Sequence, residues 1–465
     1  MSRLKALGVE HVTGYERYDA FGGTWHPKLR YHSIQIHGAM WITSFSKYPY
    51  SKIADDQNGK VSGEEVEDYV KRFADDKGLN ENYKLNSRVV HLKYESEART
   101  AMLVIEDEKG LQREEGPFDF VIYASQASEP SIPNIPGSES FGGKILHSQQ
   151  FKKDQFDEIL RNEKKVVVVG GSKAGSDVAL CFQRCGYQAF DWVYRSPYLF
   201  WKYELMFHNR SFVNMLRGFT TILALLWSLV SKTLAGWILW SSGLTVTHGN
   251  TPHNNWNKFH FGILCPTQRR DLAAIPTEKR IVGNPKGYFS GGLELDDGRK
   301  VKADYVIFGT GCQSGIDKLS FEKDGLPYTL HPDTNLLNHF IVPAIPVFAN
   351  STALWTTFGP VRACNSADLA IYHCCVRKKM TEKAMQLKAS RQFCGGVNSL
   401  SGFLFQSKSF GLRKWVLMHL DLMLAGLVDF FDFLWHALQV FCLSEQDALK
   451  FRILPDDIKS EYAKL

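Results

Sequence analysis

Apolar and polar residues alternate along this chain with two different periods. Apolar positions at helical spacing over residues 64–76 predict a helix. Residues 85–94 and 100–106 alternate residue by residue, which predicts antiparallel strands. Because further strands and helices follow one another along the chain, we expect parallel sheets covered on both faces. Continuous apolar runs predict the buried strands, at 118–123, 165–169 and 305–308.

The strand at 165–169 runs into a glycine-containing turn and then into a helix that starts near Ala174. Gly170, Ser172 and Gly175 stand where a Rossmann turn has three glycines, so the middle glycine is missing. The first glycine permits a tight bend, the second lets a pyrophosphate approach, and the third lets the helix pack on the strand. Amide groups at the helix N-terminus favour an anion. The turn therefore predicts a dinucleotide site, to which we also assign Lys173, Ala174 and Asp177.

Arg195 stands at the end of the next predicted strand, where an NAD-binding protein has an acidic residue for a ribose hydroxyl. A guanidinium at this position suits a 2′-phosphate, so the sequence favours NADP. The alternative is an ordinary surface arginine at a strand end.

An eleven-residue pattern, F-x-G-x-x-x-H-x-x-x-F, precedes this unit. Its fixed positions are Phe141, Gly143, His147 and Phe151. The pattern resembles the identifying sequence of the flavin-containing monooxygenases. In the related Baeyer–Villiger enzymes a Trp usually stands at the last position, with Pro or Asp after it, whereas here Lys152 follows Phe151. The alternative interpretation is a linker with one buried histidine.

The resemblance extends to an FAD site near the start of the chain. Glu16 ends a predicted strand over 10–16 and is well placed for an adenosine ribose. The residues after it resemble the family pattern "F-E-R … G-G-x-W", which implies that Gly23, Thr24 and Trp25 contact FAD. In the family this segment follows a strand and a G-x-G-x-x-G loop. This chain begins inside the next helix, so we expect FAD to be held poorly and NADP(H) to be bound.

Two further segments carry the resemblance. Residues 31–49 align with a family segment whose Asn helps to position the oxygenated flavin and NADP; His37 takes its place, next to Ile36. We therefore assign Ile36 to the cofactor site and His37 to both the cofactor site and catalysis. The strand at 305–308 leads into a segment similar to the family's "A-T-G-Y", which implies a cofactor contact at Thr310 and Gly311.

The implied activity is an NADPH- and FAD-dependent monooxygenase. It inserts one oxygen atom from O2 into an amine nitrogen or a sulfur of a small molecule, through a flavin hydroperoxide. Two alternatives remain: a Baeyer–Villiger-type monooxygenase, against which Lys152 argues, and a non-catalytic NADP-binding remnant, because the FAD phosphate loop is absent. His147 is better interpreted as a residue that couples two domains than as a general base.

The fold class that follows is α/β, with two Rossmann-like, three-layer (ββα/βαβ) dinucleotide-binding domains. A chain of 465 residues is long enough for two or more domains. The FAD domain is expected to be discontinuous, with a helical apolar insertion and a helical C-terminus elsewhere in the chain. The predicted divisions are 1–150 (FAD domain, first part), 151–300 (NADP domain, with the insertion at about 203–270), 301–390 (FAD domain, returning part) and 391–465 (helical and apolar).

The composition limits the classes of partner that we expect for this protein. The net charge of +6 is modest and the basic residues are scattered, so we expect no nucleic-acid partner. The nine cysteines form no C-x-x-C pair, which predicts neither a disulfide framework nor a metal site.

The apolar segments 218–240 and 415–443 contain charged residues and tryptophans, so we expect them to lie on a membrane surface. A buried helix pair beside the substrate pocket is the alternative. The predicted location is the cytoplasmic face of a membrane such as the endoplasmic reticulum, or the cytoplasm.

Overall fold

The secondary structure consists of two five-stranded sheets, smaller strand pairs and amphipathic helices. The computed structural model describes residues 1–6, 8–36, 45, 48, 61–125, 129–195, 199–201, 245–247, 275–313, 315–331, 334, 336, 337, 340–351, 366, 367, 370, 373, 374 and 381–390. The helices are α1 Ser2–Ala6, α2 Gly63–Asp76, α3 Lys153–Arg161, α4 Lys173–Arg184 and α5 Glu382–Ser390. The strands are β1 Gly14–Tyr15, β2 Tyr83–Lys84, β3 Ser87–Glu95, β4 Thr100–Asp107, β5 Gln112–Phe118, β6 Val121–Tyr123, β7 Glu129–Pro130, β8 Lys144–His147, β9 Val166–Val169, β10 Phe190–Tyr194, β11 Leu199–Trp201, β12 Thr245–Thr247, β13 Arg280–Val282, β14 Pro285–Phe289, β15 Gly292–Leu295, β16 Lys300–Lys302, β17 Tyr305–Phe308, β18 Cys312–Gln313, β19 Ser320–Lys323, β20 Leu326–Tyr328 and β21 Phe348–Asn350.

One five-stranded sheet is parallel throughout and has the order β13-β10-β9-β17-β8. Every residue of β9 and β17 is buried, because alternate side chains point to opposite faces and both faces are covered. On one face, Val166, Val168 and Ile307 pack with aromatic side chains of α3 and α4. On the other face, Val167 and Val306 pack with side chains of the antiparallel sheet β14-β15-β16.

These layers confirm the predicted α/β class and the ββα arrangement. The predicted covering of the parallel sheet on both faces is confirmed: helices cover one face and the small antiparallel sheet covers the other. Of the strands β13 to β16, only β13 belongs to the parallel sheet; β14, β15 and β16 form the antiparallel sheet.

The parallel sheet also crosses the predicted domain boundaries at 150 and 300. Strand β8 precedes the first boundary and β17 follows the second, yet β17 pairs with β9 and β8 pairs with β17. In the structure, residues 144–147 and 305–308 therefore belong to the sheet of the nucleotide turn. They had been assigned to the two parts of the FAD domain. The remainder of the predicted division stays a prediction.

The second five-stranded sheet has the order β20-β19-β3-β4-β5. Strands β3 and β4 pair antiparallel, as their alternation predicts. The predicted single strand over 118–123 is instead divided, since β5 ends at Phe118 and β6 begins at Val121 and pairs with β21. The predicted strand over 10–16 is reduced to the two residues of β1, which pair with β2.

Helix α2 matches its predicted position and shows why it begins where it does. The Ser62 side chain accepts from the amide of Glu65, and the Glu65 carboxylate accepts from the amide of Ser62. This reciprocal capping satisfies two amides at the helix start. The buried face of the helix carries Val66, Tyr69 and Phe73, the residues whose spacing predicts it.

No helix in the described part of the chain has the length and apolar character needed to cross a membrane. The apolar segments 218–240 and 415–443, on which the membrane-surface prediction rests, lie outside the described residues.

Candidate functional site

Three glycines pack against one another where β9 meets α4. A Cβ atom on Gly175 would lie 1.9 Å from the carbonyl oxygen of Gly170, and one on Gly170 would lie 2.4 Å from the carbonyl oxygen of Gly309. A Cβ on Gly309 would in turn lie 2.3 Å from the amide nitrogen of Gly175. Gly170 also has φ 132°, which a side chain disfavours. The turn therefore accepts no side chain at any of these positions, and Gly309 contributes although it lies far away in sequence.

The rest of the turn exposes the start of α4. The indole Nε1–H of the buried Trp192 donates to the carbonyl of Gly170 at 2.8 Å, and this hydrogen bond stabilises the bend. Ser172 is the N-cap residue, with extended backbone angles, and its side chain forms no capping hydrogen bond. Since the first amides of a helix have no partner within it, the start of α4 offers amide donors that suit an anion. This geometry fits the pyrophosphate of a dinucleotide.

Lys173 and Asp177 face each other on α4. The Lys173 ammonium lies 2.5 Å from the Asp177 carboxylate and donates to the carbonyl of Gln35 at 2.7 Å. The same Asp177 carboxylate accepts from the hydroxyl of Tyr31 at 2.7 Å. The predicted phosphate contact of Lys173 stays a prediction, because here the ammonium is bound within the protein. What the pair does in this structure is connect α4 to the segment 31–35.

Arg195 follows β10 directly and is exposed. It lies at the carboxyl end of the strand next to β9, the edge of the sheet at which the glycine turn also lies. Ligands of open α/β sheets bind outside the carboxyl ends of the strands. The position and exposure of Arg195 are therefore those required of a residue that binds a ribose phosphate.

The four fixed residues of the 141–151 pattern each have a structural role. Phe141 stacks on Tyr288, and Gly143 passes so close to Asp304 that a Cβ would lie 2.3 Å from its carbonyl oxygen. The buried His147 donates from Nε2 to the carbonyl of Gly311 at 2.8 Å. Phe151 is fully buried among the aromatic side chains of α3 and α4. None of these roles requires proton transfer.

The predicted flavin-contacting segment forms a short 3₁₀ turn, Gly23–Trp25. Gly22 and Gly23 have φ values of 141° and 53°, which explains two consecutive glycines. Gly23 and Thr24 are exposed, and the half-buried Trp25 packs on the cluster that contains Ile36. The structure thus brings Trp25 and Ile36 together, with the exposed Thr24 beside them in sequence.

Glu16 follows β1 and is held in a partly buried position. Its carboxylate accepts from the amide of Tyr18 at 3.0 Å. Burial raises the pKa of this carboxyl, and the amide of Tyr18 and the charge of Arg17 oppose that rise. The ribose contact assigned to Glu16 stays a prediction.

Thr310 and Gly311 lie beside the crossover that carries β7. The Thr310 hydroxyl donates to the carbonyl of Ser131, and the amide of Ser131 donates to the carbonyl of Gly311 at 3.1 Å. Gly311 has φ 83°, so a glycine is favoured there. The remaining predicted site residue, His37, lies outside the described residues.

Sequence reasoning missed three contributors: Gly309, Tyr31 and the carbonyl of Gln35. Gly309 directly follows the buried strand β17, and a glycine at such a position is itself a signal of close packing. No local pattern marks Tyr31, because its partner Asp177 lies in another part of the chain.

A protein-family model described as "Flavin-binding monooxygenase-like" matches residues 8–241, just over half of the chain. The chain belongs to this family. It is therefore a flavin-dependent monooxygenase by family, and its cofactors are FAD and NADP(H). The match includes both the Gly23–Trp25 turn and the glycine turn at the start of α4.

Curated relatives agree with the family model. The "Probable flavin-containing monooxygenase 1" of Arabidopsis thaliana is 24% identical over 367 residues, which cover 67% of this chain and 67% of that protein. The "Trimethylamine monooxygenase" of Methylocella silvestris is 22% identical over 232 residues, which cover 46% of this chain and 51% of that protein. Four further relatives, each described as an FAD-dependent monooxygenase, are matched over 29–33% of their length.

Among solved structures, the S-allyl-L-cysteine S-oxygenase of Allium sativum superimposes with a TM-score of 0.55. The superposition covers 100% of this chain and 89% of that chain, at 17% sequence identity. This similarity shows that the fold is shared.

The described residues fit both cofactors. For NADP(H), the glycine turn leaves the first amides of α4 open, and Arg195 is exposed at the neighbouring strand end. For FAD, the exposed Gly23 and Thr24 and the acceptor Glu16 lie on the first parallel strand pair and its following turn.

Proposed function

We propose that this protein is an NADPH- and FAD-dependent monooxygenase that inserts one oxygen atom from O2 into an amine nitrogen or a sulfur of a small molecule. The observation that carries the proposal is the packing of Gly170, Gly175 and Gly309, which leaves an anion-binding helix start next to the exposed Arg195. Family membership supports the flavin chemistry, and the glycine turn with the exposed Arg195 supports a nucleotide site that accepts the extra phosphate of NADP.

The choice of NADPH over NADH rests on Arg195. An acidic side chain at this strand end would bind two ribose hydroxyls and would repel a phosphate. The guanidinium instead offers paired N–H donors that match a phosphate group. No acidic residue replaces it at the end of β10, where Tyr194 is followed by Arg195.

The substrate class rests on the curated relatives. The names of two of them are flavin-containing monooxygenase and trimethylamine monooxygenase, which supports an amine nitrogen or another soft nucleophile for this chain. The Phe151-Lys152 ending of the 141–151 pattern supports the same choice over the Baeyer–Villiger alternative.

When bound, FAD supplies the redox chemistry that activates O2. The residues of this chain bind and orient. The first amides of α4 and the guanidinium of Arg195 would hold the dinucleotide, and the Gly23–Trp25 turn would contact FAD. His147 keeps the loop after β17 attached to the 141–151 segment through Gly311. We assign no nucleophile and no general base to the protein.

The proposal is tested by product formation. Purified protein is supplied with FAD, NADPH and either trimethylamine or a dialkyl sulfide, and N-oxide or S-oxide is measured by mass spectrometry with ¹⁸O2. FAD is added because its predicted weak retention stays a prediction. We expect one labelled oxygen per product and consumption of NADPH.

Two results would redirect the proposal. Conversion of a cyclic ketone to a lactone, with no oxidation of amine or sulfide, would favour the Baeyer–Villiger alternative. Binding of NADPH with no oxygenation of any of these compounds would favour the non-catalytic alternative.

A further inference from the structure

The side-chain ammonium of Lys152 donates hydrogen bonds to three backbone carbonyls of one turn. Its ammonium donates to the carbonyl oxygens of Pro27 at 3.0 Å, Lys28 at 3.2 Å and Arg30 at 2.5 Å. An ammonium has three donors, so all three are used. Lys152 directly follows the last residue of the 141–151 pattern and opens α3, whereas the turn lies far away in sequence.

Among the described residues, no backbone amide of the turn donates to these three carbonyls. The amides of Leu29 and Arg30 both donate to the carbonyl of His26, at 2.8 Å and 2.9 Å, which closes a single helical turn. The following carbonyls then point away from the turn, as at any helix end. A lysine side chain that reaches such carbonyls stabilises the turn in the same way as a C-terminal cap.

The turn is continuous with the flavin-contacting segment. Residues 27–30 follow the Gly23–Trp25 turn after one intervening residue, and the Arg30 guanidinium donates to the carbonyl of Trp25 at 3.4 Å. The same guanidinium pairs with Glu67 and lies 3.2 Å from Glu64, both on α2. The amide of His32 donates to the carbonyl of Phe151 at 2.8 Å. The segment 23–32 is therefore attached to α2 on one side and to the start of α3 on the other.

We propose that Lys152 is a positioning residue that fixes the 27–30 turn, and through it the Gly23–Trp25 segment, in the arrangement that binds FAD. This inference rests on the proposed function, since it assigns the Gly23–Trp25 segment to the flavin. Lys152 touches no cofactor in this assignment; it acts through the backbone of the turn.

The protonation of Lys152 agrees with this role at neutral pH. Burial, with a smaller contribution from the nearby charge of Arg30, lowers the pKa of Lys152 to about 8. The side chain therefore still carries its third N–H donor at neutral pH.

The test uses three variants of the full-length chain. Lys152→Met keeps the length of the side chain and removes its donors, and Lys152→Arg restores donors. Lys153→Met is the matched control: Lys153 is the next residue, and its ammonium pairs with Asp157 within α3. Two quantities are measured: hydrogen exchange of peptides covering residues 22–30 without cofactor, and the Kd for FAD from quenching of flavin fluorescence.

We expect the Kd for FAD to rise roughly tenfold or more in Lys152→Met, because the charge-assisted hydrogen bonds that hold the turn are lost. Exchange over 22–30 should become faster, whereas the Kd for NADPH should stay within about twofold, because the glycine turn is not involved. Lys152→Arg should recover part of the loss, and Lys153→Met should behave like the wild type.

Unchanged exchange and an unchanged Kd for FAD in Lys152→Met would overturn the inference and leave the proposed function standing. Equal weakening of FAD and NADPH would overturn it too, by showing that Lys152 supports the fold as a whole. A wild-type chain that binds no FAD would instead contradict the proposed function, and the exchange of residues 22–30 would still decide whether Lys152 fixes the turn.

Discussion

The imidazole of His147 and the carbonyl of Gly311 are joined by a hydrogen bond of 2.8 Å from Nε2. The other ring nitrogen, Nδ1, accepts from the amide of Gln149 at 3.2 Å. One nitrogen therefore donates and the other accepts, which requires the neutral imidazole. Burial lowers the pKa of His147, and the contact with Gly311 opposes this only in part. The 141–151 segment is thus attached to the loop after β17 by a histidine that has to remain uncharged.

This arrangement predicts a loss of stability in mild acid. In the unfolded chain the imidazole has a pKa of about 6.5, above its value in the folded protein. The unfolded chain therefore binds more protons as the pH falls below about 6.5, and the contribution of His147 is lost as the pH falls through the folded pKa. We expect the melting temperature to fall between about pH 7.5 and about pH 5.5, and to fall less in His147→Gln.

The control for this prediction is His11→Gln, because His11 is exposed. It should show the same pH dependence as the wild type. An identical pH dependence in His147→Gln would mean that His147 does not titrate in this range.

Arg195→Ala should weaken the binding of NADPH much more than that of NADH. A guanidinium–phosphate contact contributes about 1.5–3 kcal/mol, so its loss should raise the Kd for NADPH roughly tenfold or more. NADH has no 2′-phosphate and should bind as before. Isothermal titration with both nucleotides measures the difference. The control is Arg161→Ala, which removes the same charge at the exposed end of α3 and should change neither Kd. Equal weakening of NADPH and NADH binding in Arg195→Ala would show that Arg195 has a structural role and does not bind the phosphate.

Gly175→Ala should destabilise the protein and abolish dinucleotide binding. The added Cβ would lie 1.9 Å from the carbonyl oxygen of Gly170, and both partners are backbone that cannot rotate away. We expect a cost of about 2 kcal/mol or more, measured by chemical unfolding. Gly142→Ala is the control, because its Cβ would lie 3.7 Å from the nearest atom, the Ser290 carbonyl oxygen. Gly142→Ala should change the free energy of unfolding by less than about 0.5 kcal/mol. A similar loss of stability in Gly175→Ala and Gly142→Ala would show that the backbone of the turn moves to accept the added Cβ.

The hydrogen bond between Tyr31 and Asp177 should appear as a coupling energy in a double-mutant cycle. Tyr31→Phe and Asp177→Asn, alone and together, should give a coupling of about 0.5–1.5 kcal/mol in unfolding experiments. Tyr187→Phe combined with Asp177→Asn is the control, since the Tyr187 hydroxyl donates to the carbonyl of Lys164 instead. Zero coupling between Tyr31 and Asp177 would mean that this contact does not join the 31–35 segment to α4.

The parts of the structure that could be predicted from sequence depend on local patterns. The helix α2 and the strand β9 follow from the spacing of a few apolar residues, and the turn after β9 follows from Gly170 and Gly175. In these segments the periodicity or the glycines determine the local geometry directly.

What could not be predicted depends on contacts between distant residues. The sheet membership of β17 is decided by its pairing with β9, and that of β8 by its pairing with β17, and neither pairing is visible in the sequence of one segment. Likewise, the capping of the 27–30 turn requires Lys152, which looks in the sequence like a variable residue after a fixed phenylalanine. The antiparallel sheet β14-β15-β16 could not be predicted for the same reason, because the pairing of its strands is not visible in the sequence of any one strand.

The strand order β13-β10-β9-β17-β8 also has a consequence for synthesis on the ribosome. Among the described strands, β8 pairs in this sheet with β17 alone, and β17 is made long after β9. At about 5–20 residues per second, the delay between the two is on the order of ten seconds. During that time the chain can pair β9 with β10 but cannot cover the other edge of β9 or place Gly309 against Gly170. The nucleotide turn is therefore completed late, and a nascent chain halted before residue 305 would present an unpaired valine-rich edge to chaperones.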